Sequence, residues 1–141
     1  AGSGLYHSEY NASKKDEVNF LQIWIFPKES DIEPRYDQKT YNADERKNKF
    51  QIVVSPEKDN GSLWINQEAY FSLVNLDKGK DVSYNINKKG NSVYLFLLEG
   101  SITAAGEDLG KRDGLGIEDT DEVTISANEN SELLLIEVPM N

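Results

Sequence analysis

The 141-residue chain contains no cysteine, one histidine, one methionine and four prolines. The lack of cysteine excludes a disulfide framework, a zinc knuckle and a thiol nucleophile, and suits a reducing compartment. With a single histidine close to the N-terminal end, a Ser/His/Asp arrangement has no credible base. Every apolar run is shorter than the roughly 20 residues that span a bilayer, and the first residues lack the charged and apolar regions of a signal peptide. A soluble, cytoplasmic protein without membrane attachment is expected. Positive charge is scarce too: 15 basic residues face 25 acidic ones, for a net charge of −10. Such a field repels a phosphate backbone, so nucleic acid is not an expected partner. Helical periodicity is almost absent.

Short apolar runs separated by turn residues are present instead, the pattern of an all-β sandwich or barrel. Candidate strands are "GLYHSEYN", "NFLQIWIF", "FQIVVS", "SLWIN", "AYFSLVN", "VSYNI", "SVYLFLLE", "SITAA", "DGLGIE", "EVTISA" and "ELLLIEVP". Two of them, "NFLQIWIF" and "SVYLFLLE", are apolar on both faces and are expected in the middle of the packing. Asn60-Gly61, between two strand-like runs, reads as a tight turn; this explains the Asn60-Gly-Ser62 triplet better than glycosylation does, and Asn11-Ala-Ser13 is equally open to chance. One short helical turn is expected in "YNADERKNKF", with Asn42 as cap and Glu45 three residues on. Gly106 suits the hairpin "TAAGED", and Gly114 and Gly116 a tight strand entry.

These elements divide the chain unequally. Residues 1–26 carry two strands, residues 27–49 form a charged connector, and residues 50–141 carry nine strands, enough to close a sandwich. Two strands alone are marginal in water. Those of residues 1–26 therefore need a cover: the main domain, a second copy of the chain in a homodimer, or sequence before Ala1.

The histidine lies in "LYHSEYN". On an extended segment Leu5, His7 and Glu9 point to one side, so an imidazole and a carboxylate could reach a common metal ion. A half-exposed pair with no ligand role is the plainer alternative. Trp24 and Trp64 read as core or domain-interface aromatics, Tyr36 and Gln38 as docked connector residues or cavity lining, and the acidic run "EDTDE" (118–122) as a solvated turn, since it lacks the spacing of a calcium loop.

Taken in order, "AGSGLYHSEYN", "NFLQIWIFP", "PRYDQ" and "SPEKDNGSLWINQEAYF" resemble the pirin family of bicupins, from about Gly2 to Pro139. The resemblance implies an all-β, cupin-type sandwich (a jelly roll) for residues 50–141, with residues 1–26 as the end of a first cupin whose earlier strands would precede Ala1. It further implies a divalent transition metal, iron foremost, held by three histidines and a glutamate, with His7 and Glu9 as two of these ligands and Glu9 also as the base toward a substrate hydroxyl. Some members are similar to quercetin 2,3-dioxygenases acting on flavonols; another is linked to transcriptional regulation, so a non-catalytic binding or scaffold module is the competing implication. Three imidazoles cannot come from one histidine. The 141 residues by themselves are therefore expected to hold no metal tightly and to be catalytically silent. In the second cupin, Tyr84 and Ile86 stand near the positions where cupins commonly carry a histidine pair, so this barrel is expected to be metal-free.

Overall fold

The computed structural model describes residues 3–58 and 60–140. From residue 51 onward the chain alternates between short β-runs and turns. It forms ten strands: β1 (Gln51–Ser55), β2 (Leu63–Trp64), β3 (Tyr70–Leu76), β4 (Asp81–Asn85), β5 (Asn91–Glu99), β6 (Ser101–Ala104), β7 (Glu107–Gly110), β8 (Gly114–Ile117), β9 (Glu122–Ala127) and β10 (Ser131–Pro139). They build a six-stranded sheet in the order β2-β1-β3-β10-β5-β8 and a four-stranded sheet in the order β4-β9-β6-β7. All pairings are antiparallel except β1 with β2. The all-β cupin-type sandwich expected from the sequence is what is found.

The core lies between the two sheets. Val74, Leu76, Val93, Leu95, Leu97, Leu133 and Leu135 from the large sheet meet Ile102, Leu109, Val123 and Ile125 from the small one. Each occupies alternate positions of its strand, as a period of two requires when one face is buried. A second cluster, Val53, Phe71, Leu134 and Ile136, lies on the other face of the large sheet and is partly covered by Ile25 and Tyr41. The run "SVYLFLLE" is indeed central: it falls in β5, paired on both sides by β10 and β8.

Three expectations are corrected. "NFLQIWIF" is not a core strand, and neither it nor "GLYHSEYN" joins a ladder: Phe20, Trp24 and Phe26 are 64, 81 and 85% exposed. A strand needs a neighbour to pair with, and among the described residues this segment forms no ladder with another. Trp24 accordingly lies outside the core of this chain, whereas Trp64 is half-buried. Second, Asn60-Gly61 does not join a hairpin, because β1 and β2 run parallel, Val54 opposite Leu63; the loop between them must turn back on itself. Gly61 still takes a positive φ of 88° within it. Third, β7 is a strand that the sequence reading did not separate from the β6 hairpin, whose turn is Ala105-Gly106, both at positive φ.

The helical turn is a four-residue 3-10 turn, Ala43–Arg46, capped as expected by Asn42 Oδ1, which accepts from the Asp44 amide at 3.0 Å. Glu45 does not complete a capping box; its carboxylate accepts from Gln51 Nε2. Arg46 fastens the turn to the sheet by donating to Asn75 Oδ1 at 2.9 Å and Glu132 Oε1 at 2.7 Å. Among the described residues, no helix is long and apolar enough to cross a membrane.

Candidate metal-binding groove

Residues 11–16 form a polar reversal held by short-range bonds. Asn11 Nδ2 donates to the Asp16 carbonyl at 2.7 Å, and Ser13 Oγ accepts from the Asp16 amide at 2.9 Å. Asn and Ser side chains that bond to nearby backbone in this way stabilise turns. The reversal brings the extended stretches on either side of it together as walls of one groove of about 590 Å³. Leu5, His7 and Glu9 line one wall; Leu21, Ile23, Ile25 and Pro27 line the other.

In this groove His7 Nε2 stands 3.5 Å from Glu9 Oε1, and each side chain is about half exposed, at 54%. Two ligand atoms that each sit roughly 2.1 Å from one ion are about 3.0–3.4 Å apart in octahedral or tetrahedral arrangements. The pair therefore fits two adjacent coordination positions with little adjustment. It fills no more than that: among the described residues no group of three or more His, Cys, Asp or Glu side chains is placed to hold a metal. Apart from Gln22 the remaining lining is apolar, which suits a planar organic ligand better than a hydrated ion.

The other singled-out residues lie elsewhere. Tyr36 Oη donates to Gln38 Oε1 at 2.6 Å, and neither lines the groove. Trp64 lies under two cations, with the Arg35 guanidinium 5.3 Å and Lys58 Nζ 5.0 Å from its ring centre. The acidic run folds into a turn ahead of β9, where Thr120 Oγ1 donates to the Glu122 carbonyl.

A second polar centre lies inside the sandwich, at the end where Tyr84 sits. Glu137 is wholly buried and accepts five hydrogen bonds. Oε2 accepts from Tyr84 Oη, the Asn87 amide and Asn87 Nδ2 at 2.9, 2.9 and 2.8 Å; Oε1 accepts from the Lys88 amide and Asn91 Nδ2 at 2.9 and 2.8 Å. The five donors replace the water that a buried carboxylate loses. Burial, together with the adjacent Glu137 charge, pushes the Tyr84 phenol well above its ordinary 10.0. Burial and a bond to Glu57 do the same for Tyr70. Sequence reading passed over Glu137, although "LLLIEVP" carried a signal: a lone charge in an apolar strand, in register with the inward Leu133 and Leu135.

The quercetinase C-terminal cupin domain family matches residues 52–138. The chain is 35% identical over 139 residues to a quercetin 2,3-dioxygenase of Escherichia coli (strain K12), covering 99% of this chain and 58% of that protein. It is 34% identical to a pirin-like protein of Caulobacter vibrioides, with 97% and 59% covered. Among solved structures, the bacterial pirin YhhW of Escherichia coli in complex with nickel(II) superposes with a TM-score of 0.75 at 30% identity, covering 84% of this chain and 49% of that one. The chain thus spans about three-fifths of the length of the curated relatives it matches.

Proposed function

The chain belongs to the pirin family, and from that premise we propose that it is the C-terminal region of a bicupin whose first cupin carries a divalent transition metal, iron foremost, with His7 and Glu9 as two of its ligands. Residues 1–26 are then the closing strands of that first cupin, residues 27–49 the connector and residues 50–141 the second cupin. The whole protein acts as a quercetin 2,3-dioxygenase-like enzyme on flavonol-type substrates in the cytoplasm. The metal, when bound, supplies the site for dioxygen chemistry. His7 and Glu9 hold it, Glu9 takes the proton of the substrate hydroxyl, and Leu5, Leu21, Ile23 and Ile25 exclude water around an aromatic ring.

The 3.5 Å approach of His7 to Glu9 in an otherwise apolar groove is the observation that carries this reading. With two ligands in place of four, the 141 residues alone are catalytically silent. The test is metal analysis and oxygen uptake with quercetin on the full-length protein, its His7→Ala variant and the 141-residue chain. One metal per chain with turnover is expected in the first only. A stoichiometric metal in the isolated 141 residues, or unchanged turnover in the variant, overturns the assignment.

A second reading, a scaffold that binds without catalysing, is favoured by the engagement of the second barrel's buried carboxylate, Glu137, with five internal donors. Full-length protein with bound metal and no quercetin turnover selects it.

A further inference from the structure

The buried carboxylate of the second barrel is connected to the groove of the first by a continuous set of hydrogen bonds. Asn91 Nδ2, which donates to Glu137 Oε1, also donates to the Glu68 carbonyl at 3.0 Å. The Glu68 carboxylate takes Lys88 Nζ at 3.1 Å, from the turn whose amides Glu137 holds, and Lys28 Nζ at 3.2 Å. Two further bonds lead from this loop to the groove wall: the Lys28 amide donates to the Asn66 carbonyl at 2.7 Å, and Gln67 Nε2 to the Phe26 carbonyl at 3.0 Å. Phe26 and Pro27 line the groove that contains His7 and Glu9.

We infer that Glu137 is a positioning residue for the His7–Glu9 groove, acting through Asn91 and the 66–68 loop on the wall formed by residues 26–28. The physical reason is the contrast between the two ends of the relay. Residues 20–26 have no ladder to fix them, so beyond the packing of Ile25 on the second cluster their placement depends on the few bonds made at residues 26 and 28. The 66–68 loop that makes those bonds is itself irregular, and its fixed point is a wholly buried carboxylate with no water to exchange for its partners. The second barrel thereby contributes to a site to which it supplies no ligand. The consequence for metal binding rests on the function proposed above; the relay itself does not, and it is measured without metal.

Amide hydrogen exchange on the metal-free full-length protein reads the relay directly. Glu137→Gln turns one acceptor into a donor facing donors; should that variant not fold, Asn91→Ala removes the amide shared by Glu137 and Glu68 and leaves the other four bonds to Glu137 in place. In either variant the Lys28 amide is expected to exchange at least about tenfold faster while the amides of β6 keep their rates. Gln67→Ala, outside the barrel interior, is expected to speed the Lys28 amide alone. Two results overturn the inference: acceleration confined to residues 87–91 with Lys28 unchanged, and equal acceleration at Lys28 and in β6, the mark of general destabilisation. With nickel(II) then added, the variants are expected to bind about 10-fold more weakly, the usual consequence of losing a group that orients ligands from outside the coordination shell. Faster exchange with unchanged nickel affinity separates a failed functional reading from a failed relay.

Discussion

"NFLQIWIF" and "SVYLFLLE" are eight-residue runs of similar composition, and they meet opposite fates in the same chain. The second becomes most of β5, paired on both sides, with Val93, Leu95 and Leu97 buried. The first stays unpaired, with Phe20, Trp24 and Phe26 open to solvent. Composition does not separate them; neighbours do. A strand's backbone groups are satisfied only by another strand, and its apolar side chains only by a facing layer. Residues 51–139 supply both for β5, whereas the described part of the chain gives residues 19–26 no partner strand and a facing layer only at Ile25.

That contrast can be broken most severely at the core. Leu135→Ala, at a wholly buried position between the sheets, is expected to lower stability by about 2–5 kcal/mol in urea denaturation. Phe20→Ala is expected to change it by less than about 0.5 kcal/mol; comparable losses would show that residues 19–26 share the core after all. Tyr84→Phe removes one of five donors from Glu137 and is expected to lower the same midpoint by the equivalent of about 1–3 kcal/mol. An unchanged midpoint would mean that the buried carboxylate does not depend on the phenol.

Gly100 takes a φ of 93°, and a Cβ there would collide with Ser131 Oγ and the Asn130 carbonyl. Gly100→Ala is expected to destabilise by about 1–3 kcal/mol, from strained backbone and forced displacement of the β10 entry. Thermal melting checks it.

The smallest effect concerns pH. The bonds from Lys88 and Lys28 hold the Glu68 carboxyl below its ordinary 4.5. Folding is thus favoured by its ionised form: the contribution is present above about pH 4.5 and is lost as pH falls through the lower folded value. Glu68→Gln is expected to make stability less steep in that acid window, matching the parent at low pH and falling slightly below it at pH 7, as measured by urea midpoints across pH.

Much of the sandwich was legible because a buried sheet face imposes a period of two. Short apolar runs bounded by turn residues, "FQIVVS", "EVTISA" and "ELLLIEVP", located β1, β9 and β10 without knowledge of their partners. The parallel pairing of β1 with β2 was not legible, since Asn-Gly favours a tight turn whether or not a hairpin follows. His7 and Glu9 stood out as the lone histidine and a carboxylate two residues on. Glu137 did not, because a charge in an apolar strand takes on meaning only once Tyr84 from the other sheet, Asn87 from a turn and Asn91 from the neighbouring strand converge on it.

Local sequence alone determined the all-β class, the turns that need positive φ and the pairing of an imidazole with a carboxylate on one extended stretch, since each follows from interactions within a few residues. Tertiary structure decided which apolar runs became strands, where a buried carboxylate found its donors and which loop grips the groove wall. Those outcomes rest on contacts between segments distant in sequence, such as residues 84 and 137, and burial removes the water that would otherwise make their hydrogen bonds dispensable.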